Sequence, residues 1–184
     1  LPLKANNDKE RLLYKVISLS FAINDLNLYL LRERITYVSQ EEFIFNDTIL
    51  NNINLRKTRD VNLLLDVCKC MKIDDIIKDK QAGYNTVLLE NGSNISGGER
   101  QRVILARTFL KDSDIYILDE SFSEIDINLE KTIITNLFKK FKDKTIIVIT
   151  HRYDNNNLFN NHSDNGGNHS GNLNKGKLFF VENA

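Results

Sequence analysis

Two runs decide the fold: Ile115-Tyr116-Ile117-Leu118-Asp119-Glu120 and, one helix later, Thr145-Ile146-Ile147-Val148-Ile149. Each carries a continuous apolar segment of strand length, the pattern of strands buried on both faces. Between them, about Asn128–Lys142 holds Ile133, Ile134, Leu137, Phe138 and Phe141 at helical spacing, the cleanest apolar stripe in the chain. Two buried strands joined by a helix of that length require a parallel pair with a right-handed crossover. The sequence therefore predicts an α/β fold on a parallel sheet with flanking helices.

Working upstream, Ser96 opens a helix. Glu99 stands three residues on, the capping-box spacing in which each side chain bonds the other residue's backbone N–H. Val103, Ala106, Arg107 and Leu110 follow at helical spacing, and the pattern stops near Asp112. Asp60 can cap Val61–Lys72, whose Leu64, Val67, Cys68 and Met71 share a face, and Asp47 can cap Thr48–Asn54. Asp74–Asp79 reads as a further turn. Ile35–Ser39 reads as a strand, Leu28–Arg34 as a short helix and Phe21–Asn24 as a short strand.

Downstream of residue 153 the composition shifts. Nine of the twenty residues from Asn155 to Asn174 are Asn, interleaved with His, Ser and Gly. Such a stretch buries too little apolar surface to offset its ordering entropy, so 154–184 is expected to be a flexible tail, with Lys177–Val181 as a terminal strand. His162 and His169 read as solvated tail histidines. Cys68 and Cys70 read as packing thiols in a reducing compartment.

Across the 184 residues, 25 Lys+Arg balance 25 Asp+Glu, which excludes a strongly basic nucleic-acid binder. Hydrophobic residues make up 41%, enough for a real core. No apolar run approaches the ~20 residues that span a bilayer, and Leu1–Asp8 lacks the apolar region of a signal peptide.

The polar residues fall where chemistry collects. In open parallel sheets, ligands bind beyond the carboxyl ends of the strands. Gln40 follows the strand ending at Ser39, Asp119 and Glu120 follow Leu118, and His151 follows Thr150. Three strands thus deliver a carboxamide, two carboxylates and an imidazole to one edge. Asp119 can face a metal ion while Glu120 faces an attacking water, although acids ending a strand also serve as helix caps. Ser96-Gly97-Gly98-Glu99 adds two glycines, which let a phosphate approach the backbone at the positive end of a helix. Ser-x-x-Glu alone is a common cap.

Together these residues resemble the ATP-binding cassette (ABC) ATPases. Asn94–Arg102 followed by Ala106-Arg107 is similar to the family's signature helix, and Ile115–Glu120 to its Walker B strand, with Glu120 at the catalytic glutamate. Ser123-Glu124-Ile125-Asp126 resembles the D-loop, Tyr37-Val38-Ser39-Gln40 the Q-loop and Ile149-Thr150-His151-Arg152 the switch histidine. The match covers roughly Ile23 to Arg152, with all five motifs in the family's order. The exporter branch fits best: Phe43–Ile49 is similar to the stretch that meets transmembrane coupling helices, and Glu90–Asn94 agrees. Asp119-Glu120-Ser121 and His151–Asn155 resemble bacteriocin-type peptide exporters. A soluble ABC protein of DNA repair or translation lacks support, since neither long heptads nor a basic surface is visible.

The resemblance implies a P-loop-NTPase-like sheet over residues 1–153 with an inserted helical subdomain at about 41–95. It implies catalytic roles for Glu120 and His151, and Mg²⁺ held by Asp119 and Gln40. Nucleotide contacts would come from Gln40, Ser96, Gly97, Gly98, Glu99, Ser123 and Asp126. ATP would be sandwiched between two such domains arranged head to tail, each giving its Walker motifs to one nucleotide and its signature to the other. The 40–49 region would meet a transmembrane domain, which places the chain at the cytoplasmic face of a membrane.

One part of the pattern is missing. The first glycine is Gly83, so no G-x-x-x-x-G-K-[ST] precedes the strand at 35–39. If Leu12–Ile17 matches the helix after that loop, Lys9 takes the place of the loop lysine, Asp8 replaces a glycine and Glu10 replaces the Mg²⁺-binding Ser/Thr. A carboxylate there would repel phosphates. The expectation is a truncated or degenerate ABC domain with weak or no ATP hydrolysis of its own. Such a chain could be a fragment of an exporter, or a catalytically dead module lending its signature to a partner ATPase.

Overall fold

The computed structural model describes residues 28–39, 43–58, 60–150 and 177–182. The chain divides into two units, Leu1–Arg34 and Ile35–Ala184. The first contributes one described element, helix α1 at Leu28–Arg34, as its pattern predicts. The expected strand at 21–24 and the Asn-rich segment up to residue 176 lie outside the described residues.

In the second unit, strand β1 (Ile35–Val38) is followed by a two-residue strand β2 (Asp47–Thr48) and helices α2 (Ile49–Ile53), α3 (Val61–Cys70) and α4 (Ile73–Ile77). A second short strand, β3 (Val87–Leu88), pairs antiparallel with β2. Helix α5 (Gly97–Phe109), strand β4 (Ile115–Asp119), helix α6 (Ile127–Lys140), strand β5 (Thr145–Thr150) and strand β6 (Lys177–Glu182) complete it. The main sheet runs β1-β4-β5-β6, every pair parallel. The two deciding runs thus pair as expected, and the terminal strand is real, lying parallel beside β5.

Alternation on the strands selects the buried face. Tyr116 and Leu118 of β4 and Ile146 and Val148 of β5 are buried, whereas Ile115, Ile117, Ile147 and Ile149 are half-buried. Helix α6 lays Ile134 and Leu137 against Leu118, Ile146 and Val148, closing on Phe122 with no room for a water. Phe109 at the end of α5 stacks on Tyr116 at 4.4 Å between ring centroids, and Phe141 tilts against Phe109 at 4.9 Å. The Tyr116 hydroxyl donates to the Lys111 carbonyl at 2.6 Å, so this buried ring keeps its polar tip satisfied.

The local expectations need three corrections. Thr48, not Asp47, caps α2: its hydroxyl accepts the Asn51 N–H at 3.0 Å, while Asp47 belongs to the β2 ladder and accepts from Thr48 N–H and Asn51 Nδ2. Helix α3 stops at Cys70 rather than Lys72, because Lys72 turns left-handed (φ +54°) and starts α4. The Arg102 guanidinium secures that turn by donating to the Lys72 carbonyl at 2.7 Å. Phe138, placed on the apolar stripe of α6, is only half-buried.

The segment 43–49 is pinned through the Asn52 amide and, to α5, through the Arg107 guanidinium. Asn52, fully buried, accepts from the Phe45 N–H at 2.8 Å and donates to the carbonyls of Phe45, Asp47 and Thr48. Arg107 of α5 donates to the carbonyls of Asn52 and Phe43, each at 2.8 Å, and its guanidinium lies over the Phe45 ring. Truncating Asn52 strands several backbone groups, each costing about 1–3 kcal/mol when buried and unpaired. Asn52→Ala is therefore expected to destabilise the chain by about 2–4 kcal/mol in urea unfolding.

Both cysteines are buried and free, as read from the sequence. Burial pushes the Cys68 thiol up to about 11. Its unfolded value is ~8.5, so the stabilising contribution of the neutral thiol is complete below that pH and lost as pH rises toward 11. The urea midpoint should fall between pH 7 and pH 10, and Cys68→Ala should make that fall smaller.

Candidate functional site

The parallel register aligns the carboxyl ends of four strands. Val38 lies opposite Leu118, Asp119 opposite Ile149 and Thr150 opposite Glu182. Asp119 is the last residue of β4, and its Oδ2 accepts the Tyr37 hydroxyl at 2.8 Å. That bond to the carboxylate, with lesser contributions from burial and the negative charge, raises the Tyr37 hydroxyl above its ordinary pKa. Glu120 takes a left-handed conformation (φ +49°), its N–H bonded to the Ile149 carbonyl at 3.0 Å and its carbonyl accepting the Ser123 N–H at 3.1 Å. Strand β5 thus holds Glu120 by its N–H and the following loop holds it by its carbonyl. Gln40, His151 and Lys9 lie outside the described residues.

The second group of predicted residues gathers at the start of α5. Ser96 is its N-cap: the Ser96 hydroxyl accepts the Glu99 N–H at 3.2 Å, and Glu99 Oε2 accepts the Ser96 N–H at 2.8 Å. The capping box is formed in full. One turn on, buried Gln101 reaches the loop after β4. Its Nε2 donates to the Ser123 hydroxyl at 2.9 Å and its Oε1 accepts the Glu124 N–H at 2.8 Å. Asp126 caps α6, accepting from the N–H groups of Asn128 and Leu129.

Ser96, Gly97, Gly98, Glu99 and Asp126 line one cavity of about 310 Å³, shared with Glu124. Ser123 is tied to it through Gln101. Asp119 and Glu120 are not among its lining residues, so this chain presents two separate groups, a glycine-rich helix start and an acidic strand end. Sequence reasoning assigned no role to Gln101, Tyr37 or the side chain of Glu124. The partners of Gln101 and Tyr37 lie 22 and 82 residues away, too far for any local pattern to reveal.

The residues fit a nucleotide in part. A triphosphate end suits the Ser96–Glu99 turn, where two glycines expose backbone beside a cavity at the positive end of a thirteen-residue helix. For Mg²⁺, which takes few carboxylates and completes its shell with phosphate oxygens and water, Asp119 offers the oxygen that Tyr37 does not occupy. The phosphate loop itself does not fit anywhere described. Gly171, Gly176 and Lys177 have its spacing, but Leu178 follows in place of Ser/Thr and Lys177 opens strand β6, whereas the loop must lead into a helix.

The left-handed turn at Glu120 makes a prediction about strain. A side chain there costs of order 1 kcal/mol that glycine avoids. Glu120→Gly should be about 1 kcal/mol more stable than Glu120→Ala in urea unfolding.

The profile of the ABC transporter family matches residues 6–123, well over half of the chain. The lactococcin-G-processing and transport ATP-binding protein LagD of Lactococcus lactis subsp. lactis is 41% identical over 129 residues, covering 69% of this chain and 18% of that protein. An ATP-dependent lipid A-core flippase of Pseudoalteromonas translucida is 43% identical over 133 residues, covering 71% and 23%. The transport/processing ATP-binding protein ComA of Streptococcus pneumoniae is 39% identical over 136 residues, covering 72% and 18%. Among solved structures, a bacterial Atm1-family ABC exporter with ATP bound superposes with a TM-score of 0.62 at 35% identity, covering 66% of this chain and 22% of that one. The chain spans less than a quarter of the length of these curated relatives. On the match over residues 6–123, this chain belongs to the ABC transporter family.

Proposed function

We propose that this chain supplies the signature half of an ATP sandwich in an ABC exporter. The observation that carries this reading is the Ser96-Gly97-Gly98 turn, capped and opening on a cavity beside Asp126. In a head-to-tail pair with a second ABC ATPase domain, Ser96 and the first-turn N–H groups of α5 would receive the terminal phosphate of ATP held on the facing domain. Ser123 and Asp126 would border the same nucleotide. ATP supplies the binding energy that closes the pair and the phosphoanhydride bond whose cleavage reopens it.

The strand-end group would serve the other nucleotide. Asp119 would hold Mg²⁺ together with Gln40, Glu120 would polarise the attacking water, and His151 would face the phosphate from the end of β5. The backbone bonds of Glu120 support this role, because they fix its carboxylate's origin before any nucleotide binds. General-base help of this kind is worth ~10²–10⁴-fold in rate.

Transmission to a transmembrane domain would pass through residues 40–49, at the cytoplasmic face. Phe43 and Phe45 are exposed and pack edge to face at 5.3 Å, while Arg107 and Asn52 tie their backbone to α5. A push on the aromatic pair would therefore reach the signature helix directly. Among the described residues no helix is long and apolar enough to cross a membrane, so the membrane helices would belong to another segment or chain. Identity is as high to lipid A-core flippases as to LagD, and the reading is of the engine common to both rather than of one cargo.

A second reading, a catalytically dead module that lends its signature to a true ATPase, is favoured by the lack of any glycine in residues 1–82. One experiment separates the two and tests the reading they share. The purified 184-residue chain is assayed for Mg-ATP turnover, alone and mixed with an exporter ATPase domain that has an intact phosphate loop. Alone, no turnover is expected; mixed, the two should associate only with ATP, and Ser96→Arg should abolish that association. Turnover by the isolated chain that Glu120→Gln removes would overturn the dead-module reading. Absence of any ATP-dependent association would overturn the signature reading.

A further inference from the structure

The cavity at the start of α5 is covered by the chain's own carboxylate. Glu124, two residues before the cap of α6, reaches back over the glycine pair. A methyl group built on Gly97 would lie 1.4 Å from Glu124 Oε2, and one on Gly98 would lie 2.8 Å from the Glu124 carbonyl oxygen. The other carboxylate oxygen, Oε1, accepts from Arg100 Nη2 at 2.7 Å. The Glu124 backbone is anchored by the bond from its N–H to Gln101. The side chain is therefore delivered to this place by a fixed loop, although the residue is exposed.

The position is that of an anion. The carboxylate rests on a glycine backbone in the first turn of a thirteen-residue helix, where the dipole favours negative charge, and it has one guanidinium as counter-ion. These are the features that recognise a phosphate oxygen. The remaining charges are already committed: Glu99 is folded back onto the Ser96 N–H, Asp126 caps α6, and Arg102 donates to the Lys72 carbonyl. With Glu124 in place, the lining carries three carboxylates against the single guanidinium of Arg102, a net negative charge that repels a triphosphate. With Glu124 swung out, Arg100 is left as a cation beside two exposed glycines.

We propose that Glu124 is a built-in occupant of the trans-phosphate position and that Arg100 changes partner, from the Glu124 carboxylate to the terminal phosphate of ATP, when the sandwich closes. Arg100 is then a phosphate-binding residue and Glu124 the gate that raises the nucleotide concentration needed for closure. This rests on the signature reading given above.

The test is ATP-dependent association of the 184-residue chain with a fluorescently labelled exporter ATPase domain whose own catalytic glutamate is replaced by Gln, titrated with Mg-ATP and followed by anisotropy. Glu124→Ala should tighten the association by about three- to tenfold, the scale of one surface ion pair plus one helix-end charge. Glu124→Gln, which keeps the volume and removes the charge, should move in the same direction. Arg100→Ala should weaken association by a similar factor, and Arg100→Lys should recover part of it. The gain from Glu124→Ala should shrink as salt is raised from 50 mM to about 500 mM. Association at wild-type strength in the Glu124 variants, or in Arg100→Ala, overturns the exchange while leaving the signature reading intact. If neither wild type nor any variant associates with ATP, the signature reading itself fails and the exchange falls with it.

Discussion

Gln101 joins the two functional groups of this chain. It sits one turn inside α5, and its amide is spent in both directions on the loop that follows β4, giving a hydrogen to Ser123 and taking one from the Glu124 backbone. Helix and loop cannot shift independently without leaving buried polar atoms unpaired, a cost of about 1–3 kcal/mol for each. The start of α5 is thereby set relative to the acidic end of the sheet. Without that bond Glu124 would have no fixed route to the glycine pair.

The same economy extends to the helical segment between β1 and α5. Two arginines on α5 reach outward, Arg102 to the left-handed turn at Lys72 and Arg107 to the carbonyls of Phe43 and Asn52. Arg107 satisfies the Asn52 and Phe43 carbonyls, and Arg102 gives the Lys72 carbonyl a second donor beside the Asp75 N–H. Helix α5 is therefore the axis to which three other parts are attached: the exposed Phe43–Phe45 pair, the α3–α4 turn and the loop after β4. In the function we propose, a change at a nucleotide would be relayed to a distant surface through such a member, held by long side chains on backbone carbonyls and by its buried Val103, Leu105, Ala106 and Phe109.

Much of the fold was legible in the residues. The β4–α6–β5 unit, the capping box at Ser96 and Glu99, the Asp60 cap and the strand at 177–182 all follow from local rules, because period, cap chemistry and β-branched runs act over a few residues. The errors are local too. Thr48 displaced Asp47 as a cap because the Asp47 carboxylate is taken by the Thr48 N–H and the Asn51 side-chain amide, leaving the Thr48 hydroxyl to accept the Asn51 N–H. Lys72 ended α3 early because Arg102, thirty residues on, supplies a partner for a left-handed turn. In the second case a contact distant in sequence outbid a nearby preference.

For the site, residue types and motif order by themselves pointed to the family, which the comparisons show, and to the chemistry we propose: a serine-diglycine helix start that suits phosphate, and an aspartate-glutamate pair at a strand end that suits a metal and a water. Tertiary structure alone decided how these are used at rest. It placed Tyr37 on Asp119, bent Glu120 into a left-handed turn, and folded Glu124 over Gly97 with Arg100 as its counter-ion. The reason is one of range. Motifs are written in consecutive residues and carry their chemistry with them, whereas the charge that fills a site arrives from another element, and only the register of the sheet and the bridge from Gln101 bring it there.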